Sequence, residues 1–428
     1  MIYGTENDME INNDIKKERF ILAGVCRGLR DKLSDTTEDS LKELEELVKT
    51  AGGEAAAVVV QNRPDIEAAT YMGEGKLEEI KNAIETLDAD SIVFDDELSP
   101  VQLRNISDML GIKVLDRSML ILDIFAMRAK TSEGKLQVEL AQLKYRLPRL
   151  RGFGTEMSRT GAGIGTRGPG ETRLESDRRH IRRRISALEG EIDDLKKRRG
   201  LLRSRRRKDG VITAALVGYT NAGKSTLLNT LTGAGVFAED KLFATLDPTS
   251  RGITLDDNRR ILLVDTVGFI RKLPHHLVEA FKSTLEEAAA ADLLLHVIDS
   301  SSDEAQEQIT VVENVLAEIG AAGKPVIGVF NKCDKVASEP LLAGEFDRTV
   351  SISAKKQLNI DGLMKAIEET APGRKQHITV LIPYSMGSEV SALHSSQKVI
   401  SEEYTSEGTK MELLADSAAY ERIKEYII

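Results

Sequence analysis

The chain has 428 residues, 41 % of them apolar and 30 % charged. This is ordinary for a globular protein but too long for one hydrophobic core, so two to four domains are expected. No apolar run reaches the roughly 20 residues that span a bilayer, and the acidic start MIYGTENDME has no apolar signal core, which points to a cytoplasmic protein. The net charge of −10 is uneven: Thr172 to Lys208 holds fifteen Arg/Lys against six Asp/Glu, a net of +9, leaving −19 for the rest and implying an anionic partner for one region only.

Residues 1–116 alternate apolar strands with helical patterns. Strands are expected at Phe20–Val25, Ala55–Gln61, Ser91–Asp95 and Ile112–Leu115. Helices are expected at Ser34–Lys49, Lys76–Leu87 and from Ser99-Pro100 onward, where an N-cap is followed by a first-turn proline. Strands separated by helices of this length imply a parallel α/β sheet. Cys26 here and Cys333 further on lack metal-ligand spacing and read as inert thiols of a reducing compartment. Gly73-Glu-Gly75-Lys76 precedes a helix but lacks the spacing of a nucleotide loop, so it reads as a glycine turn. Asp95-Asp96-Glu97 reads as an acidic loop rather than a metal site.

From 117 to 150 a single long helix is expected, with Leu136, Leu140, Leu143, Leu147 and Leu150 spaced as a coiled-coil seam and Pro148 ending or kinking it. A second long helix, Thr172 to Arg207, repeats Leu174, Ile181, Leu188, Leu195 and Leu202 every seven residues, with Ile185 and Ile192 filling the seam. The two are expected to form an antiparallel hairpin over 117–208. Its tip, 152–170, holds seven glycines in nineteen residues together with Arg159 and Arg167. Such a tip is either a flexible connector or a segment that orders on an RNA or phosphate surface. If the heptads pair within the chain, nothing demands a dimer, and a monomer is expected.

The third region, 209–373, carries the chemistry. The strand Thr213–Val217 runs into Gly218, Tyr219, Thr220, Asn221, Ala222, Gly223, Lys224 and Ser225, then into a helix beginning with Thr226. This is the phosphate-binding loop in its required strand-then-helix context. Gly218 and Gly223 let backbone N–H groups turn toward a β-phosphate, and the helix N-terminus adds its dipole. Lys224 is expected to reach the β- and γ-phosphates, and the Ser225 hydroxyl to ligate Mg²⁺, a hard cation. Forty residues after Ser225, a strand ends in Asp265, Thr266, Val267 and Gly268. Asp265 is expected to hold Mg²⁺ and Gly268 to offer its N–H to the γ-phosphate. A third strand ends in Asn331, Lys332, Cys333 and Asp334. A carboxylate there accepts hydrogen bonds from guanine N1–H and N2–H₂ together, a pair that adenine lacks, so GTP is the expected substrate and GDP the product. Downstream, Ser353, Ala354 and Lys355 can present a backbone N–H to guanine O6. Between the first two motifs, Phe243, Ala244, Thr245, Leu246 and Asp247 must supply a threonine to the Mg²⁺ shell, and from the residues alone Thr245 and Thr249 both qualify.

Residues 374–428 read as a small α+β domain without chemistry, with strands at His377–Pro383 and Lys410–Leu414 and helices at Ser388–Ile400 and Ser417–Ile427.

These four motifs, the FATLDPT segment, Gly165-Thr-Arg-Gly-Pro-Gly-Glu171-Thr-Arg and Tyr71-Met-Gly73-Glu-Gly75-Lys76 together resemble the HflX family of translation-associated GTPases over nearly the whole chain. The resemblance implies an α/β protein: a P-loop G domain with a separate N-terminal α/β domain, a long helical hairpin and a small C-terminal domain. It implies the Mg²⁺ role for Thr245, so that Lys224, Thr245 and Gly268 carry catalysis and Ser225, Thr245 and Asp265 the metal. It also implies binding to the large ribosomal subunit and its RNA, with splitting or rescue of stalled ribosomes as the outcome. The alternative is a GTP-gated regulator of another RNA or protein.

Ras-like enzymes orient the attacking water with a glutamine soon after DxxG, but here Phe269 and Ile270 follow. Slow intrinsic turnover is therefore expected. Arg251 and Arg271 are weighed as charge-stabilising groups against ordinary surface arginines. Asn221 is a candidate ligand for a K⁺ ion standing in for an arginine finger.

Overall fold

The computed structural model describes residues 17–28, 37–150, 169–208, 210–233, 242–243, 249–256, 259–272, 285–336, 342–373 and 376–428. The chain divides into two compact units, Met1–Ile124 and Phe125–Ile428.

In the first unit, β1 (Arg19–Cys26), β2 (Glu54–Asn62), β3 (Ser91–Phe94) and β4 (Lys113–Asp116) form a parallel sheet in the order β2-β1-β3-β4. The helices α1 (Thr37–Thr50), α2 (Glu74–Leu87) and α3 (Pro100–Leu110) connect the strands. Helix α1 buries Leu41, Leu44, Leu47 and Val48, the stripe expected from periodicity. Helix α3 begins with a full capping box between Ser99 and Gln102 and ends on the left-handed Gly111. The Gly73 turn is the N-cap of α2, its N–H donated to the Gln61 side chain.

The acidic residues at the strand ends are spent on pairing. Arg117, 1 % exposed, donates to Asp95 at 2.8 Å and to Glu43 at 2.6 Å, and Ser40 Oγ donates to the other Asp95 oxygen. Asp96 accepts from Arg27 and from the Tyr71 hydroxyl. Burial, followed by the charge of Asp96, pushes the Tyr71 phenol far up.

Helix α4 (Arg117–Arg128) and helix α5 (Ser132–Arg149) replace the single helix expected over 117–150. The break is chemical: the Thr131 side chain accepts from Gly134 N–H and starts a new helix. Helix α6 (Pro169–Lys208) runs 40 residues. It is antiparallel to α5, since Glu133 pairs with Arg199 while Lys144 pairs with Glu189. Leu188 is fully buried, and Ile181, Ile185, Ile192 and Leu195 are half-buried along the same stripe. Leu202, expected in the seam, is 50 % exposed and lies outside it. On α5 the buried stripe includes Val138, Ala141 and Tyr145 rather than the leucine repeat alone. Of the expected Gly-rich tip, 152–170, residues 152–168 lie outside the described residues.

The G-domain sheet has six strands in the order β10-β9-β8-β5-β7-β6. They are β5 (Ile212–Val217), β6 (Thr249–Thr254), β7 (Arg260–Asp265), β8 (Leu293–Asp299), β9 (Val326–Asn331) and β10 (Arg348–Ser351). All pairings are parallel except β6 on β7. The chain order reverses between β5 and β8, the switch point at which open α/β sheets bind ligands. Helices α7 (Lys224–Thr232), α8 (Ala305–Glu318) and α9 (Ile360–Thr370) pack on this sheet.

The C-terminal sheet, β11 (Gln376–Ile382), β12 (Lys398–Tyr404) and β13 (Thr409–Ala415), is antiparallel in the order β11-β13-β12. Helix α10 (Gly387–Ser396) stops short of the expected Ile400, because Val399 and the residues after it pair with β13 as an edge strand. Helix α11 (Ser417–Ile423) passes into a 3₁₀ turn at Lys424–Tyr426.

Arg117→Ala would leave two carboxylates, Asp95 and Glu43, without their shared cation. The expected cost to the first unit is about 3–5 kcal/mol. Scanning calorimetry of the full chain should show an earlier unfolding transition, absent from Lys42→Ala, a surface control.

Candidate functional site

The loop 218–225 leaves β5 at the switch point. Gly218 adopts φ 146°, and a Cβ there would stand 2.2 Å from the Val297 carbonyl oxygen on β8. Gly223 adopts φ 97°, and a Cβ there would stand 2.3 Å from Asn331 Nδ2. Both glycines are therefore required twice, by backbone conformation and by close approach. Asn221 is also left-handed, at φ 61°, and is exposed.

Lys224, 6 % exposed, opens α7 and turns its ammonium back onto the loop, donating to the carbonyls of Gly218 at 3.0 Å and Tyr219 at 2.7 Å. Burial pushes its pKa down to about 8, opposed by the charge of Asp265. Ser225 Oγ donates to Asp265 Oδ2 at 2.7 Å, joining the two expected metal ligands at one point. Thr245, the third, lies outside the described residues with Ala244, Leu246 and Asp247. The rival Thr249 is the first residue of β6, where it is paired opposite Asp265. Phe243 is buried, its ring edge-on to Phe125 at 4.6 Å. Thr226 follows in the first turn of α7, half-buried.

The DxxG segment is fastened to the phosphate loop. Thr220 N–H donates to the Phe269 carbonyl at 2.8 Å, and Phe269 N–H to the Gly218 carbonyl at 3.2 Å. A Cβ on Gly268 would lie 2.7 Å from Thr220 Cγ2 and 3.0 Å from Lys224 Nζ, so only glycine fits. Thr266 is buried and donates its hydroxyl to the Leu216 carbonyl, and Val267 is also buried. Phe269, 1 % exposed, packs into a core cluster with Tyr219, Leu285 and Ala288. The Tyr219 hydroxyl accepts the Arg271 N–H at 2.8 Å. Arg271 is not a surface arginine: its side chain is 3 % exposed and pairs with Glu304 at 3.0 Å. Arg251 stays exposed on β6.

At the base-reading end, Asn331 is a strut. Its Nδ2 donates to the Ala222 carbonyl at 2.8 Å, and its Oδ1 accepts the Ala354 N–H at 3.0 Å. Lys332, left-handed at φ 64°, is held by Asp299 at 2.6 Å. Cys333 N–H donates to the Ile352 carbonyl. A hydrogen bond from Ser353, with the Lys356 ammonium 3.2 Å away, holds the Asp334 carboxyl below the usual range and keeps it an acceptor. Lys355, next in the chain, is exposed. Asp299 and the Tyr219 hydroxyl were missed in the sequence. An aspartate closing a buried strand beside the NKxD strand was the available signal for the first. His296 on β8 is buried 2 % exposed, and burial together with the nearby Lys224 charge lowers its pKa to about 3, so it stays neutral.

A phosphate loop at a switch point, a paired Ser/Asp beside it and an ionised carboxylate at the NKxD position define a P-loop GTPase. Three family models match in order: "GTP-binding GTPase N-terminal" over 38–126, "GTP-binding GTPase Middle Region" over 128–206 and "50S ribosome-binding GTPase" over 213–332. GTPase HflX of Caldanaerobacter subterraneus subsp. tengcongensis is 50 % identical over 96 % of this chain and 94 % of its own. GTPase HflX of Lacrimispora saccharolytica is 51 % identical over 92 % of each. A solved GTP-binding protein of Sulfolobus solfataricus in complex with GDP is 29 % identical over 82 % of this chain and 98 % of its own, with a TM-score of 0.43. The chain belongs to the HflX family and is a GTPase.

Asn331→Ala would orphan the buried Ala222 carbonyl and Ala354 N–H. GDP affinity is expected to fall roughly 10- to 100-fold by equilibrium titration. The Lys224 shift gives a second outcome. Between about 8 and 10.5 the unfolded chain holds more protons, so the nucleotide-free fold gains stability as pH rises through that window. A polyphosphate beside the ammonium restores its charge, so nucleotide binding should take up a proton above about pH 8, with affinity falling as pH rises. Calorimetry in buffers of different ionisation enthalpy reads this uptake, and Lys224→Met should remove it.

Proposed function

We propose that the protein binds the large ribosomal subunit through its basic hairpin and splits or rescues stalled ribosomes, hydrolysing GTP slowly alone and faster on the ribosome. The observation that carries this reading is α6. It concentrates the positive charge of an otherwise acidic chain on one exposed helix, with Arg179, Arg182 and Arg183 all open to solvent. Such a surface suits a phosphate backbone. The matching family description, a 50S ribosome-binding GTPase, supports the same partner. The reading puts the protein in the cytoplasm, and no helix among the described residues is long and apolar enough to cross a membrane.

In this reading Lys224 and the N–H groups from Gly223 to Ser225 hold the phosphates, Gly268 N–H meets the γ-phosphate and Asp334 reads guanine. Ser225, Asp265 and Thr245 hold Mg²⁺. The oxygen donors of Ser225 and Asp265, already 2.7 Å apart, fit a hard cation. When bound there, the ion would supply positive charge to offset that building on the phosphates. Asn221 ligates K⁺, and equal rates in K⁺ and Na⁺ buffers would remove that assignment. Slow turnover follows from Phe269, whose ring is buried in the core and can hold no water.

The hairpin is tied to the residues beyond DxxG. Lys196 pairs with Glu286 at 2.6 Å, and Arg203 with Glu287 at 2.6 Å. A partner that grips the hairpin therefore has a route to the switch region.

The test is GTP hydrolysis with and without purified large subunits, with Lys224→Ala as the inactive control. Stimulation of roughly 10-fold or more is expected, as partners that complete switch loops produce. Subunit binding should weaken steeply with salt through counterion release. No stimulation, with tight GTP binding intact, would sink the ribosomal reading and leave the GTPase standing.

A further inference from the structure

Three groups converge on one point above the phosphate loop. A Cβ on Gly268 would lie 2.7 Å from Thr220 Cγ2, 2.8 Å from Thr220 Cα and 3.0 Å from Lys224 Nζ. Lys224 and Gly268 are the residues assigned above to the γ-phosphate, so the Thr220 side chain borders the same position. It is 6 % exposed, and its hydroxyl has no hydrogen-bond partner among the described residues. A buried hydroxyl is ordinarily satisfied, and one left without a partner costs free energy that a ligand's arrival can recover. The backbone holds the residue in position with its methyl toward Gly268. Thr220 N–H is fixed to the Phe269 carbonyl, and rotation about χ1 exchanges methyl and hydroxyl toward Gly268.

The reaction needs such a group. Phe269, where a glutamine would orient the water, is turned into the core among Tyr219, Leu285 and Ala288. Arg271 is bound to Glu304. Lys224 and the Gly268 N–H are donors only, so neither can accept a hydrogen bond from an attacking water.

We propose that Thr220 is a catalytic residue: its hydroxyl accepts a hydrogen bond from the attacking water and so aims the water at the γ-phosphorus. The water oxygen forms the new P–O bond. The bond from the γ-phosphorus to the β–γ bridging oxygen breaks, its electron pair leaving on GDP, and both water hydrogens depart on the released phosphate as H₂PO₄⁻. Thr220 ends unchanged. The inference rests on the phosphate placement proposed above.

Single-turnover hydrolysis with excess protein and Mg²⁺ tests it, alongside GDP affinity, for Thr220→Val, Thr220→Ala, Thr220→Ser and Lys224→Ala. Val keeps the branched shape without the hydroxyl, and Ser keeps the hydroxyl alone. Rates of the Val and Ala variants should fall roughly 10- to 100-fold, the worth of one hydrogen bond to a reacting group. GDP affinity should be unchanged, and Ser should hydrolyse near the parent rate. Parent rates in Val and Ala would overturn the proposal. So would a loss shared equally by Ser, or a loss of GDP affinity in both Val and Ala, since the side chain would then be building the loop. Full activity in Lys224→Ala would sink the phosphate placement and this proposal with it. An inactive Lys224→Ala beside an active Thr220→Val would sink only the role of Thr220.

Discussion

The carboxamide of Asn331 is the joint on which the nucleotide site depends. One end accepts from Ala354 and the other donates to Ala222, so a single buried side chain sets the spacing between the base-reading segment and the phosphate loop. Gly223 makes the contact possible, because any Cβ there would occupy the position of Nδ2. The sheet supplies the rest. Strands β5, β7, β8 and β9 run parallel, so the motifs that follow β5, β7 and β9 emerge along one edge. An amide serves better than a charge here, since it donates and accepts at once without the desolvation cost of an ion.

The sequence was most legible where local rules and chemistry agree. The phosphate loop, Asp265, Gly268 and the NKxD segment each sit where a buried strand ends, and burial runs plus glycines are enough to find such places. Helix α3 was announced by Ser99-Pro100, and its capping box is formed. The misses have a common cause in long-range pairing. Arg271 resembles any surface arginine until Glu304, more than thirty residues on, is brought beside it. The strand β12 reads as the tail of a helix until β13 offers it a ladder. Thr131 was a stronger signal than the leucine spacing around it, because a satisfied N-cap restarts a helix whatever seam runs past. The choice between Thr245 and Thr249 was not decidable from residue type. In the structure Thr249 opens β6 opposite Asp265, and Thr245 lies outside the described residues.

The hairpin obeys a different balance. Its two helices share a narrow stripe in which Leu188 is the one fully buried hydrophobic residue of α6 among the described residues. Ion pairs such as Arg184–Glu139 and Lys144–Glu189 line it, but they are largely exposed and each contributes little. Helix α5 has 18 residues against 40 in α6, so it can cover only about half of its partner's length. Where α5 ends, Arg146, Arg149 and Leu150 border Asp177, His180 and Ile181 in an open pocket. Beyond that point α6 continues without α5 opposite. A polar helix in this position gains little apolar burial from α5.

The ends of this long helix meet different environments, and the base is where mechanism enters. Glu286 and Glu287 are less exposed than the basic residues that reach them, so the pairs with Lys196 and Arg203 are partly shielded from solvent screening. The same stretch of chain begins at Gly268, which faces Lys224 and Thr220 across the proposed phosphate position. One segment therefore has a nucleotide-facing end and a hairpin-facing end. If the two ends move together, linkage requires reciprocity: whatever free energy the nucleotide contributes to hairpin binding, hairpin binding returns to the nucleotide. The buried Arg271–Glu304 pair and the Tyr219 hydroxyl hold the described start of this segment, Gly268 to Lys272, in the G-domain core. A displacement at Arg271 would then have to break defined hydrogen bonds. That makes discrete states, rather than a graded response, the natural behaviour of this coupling.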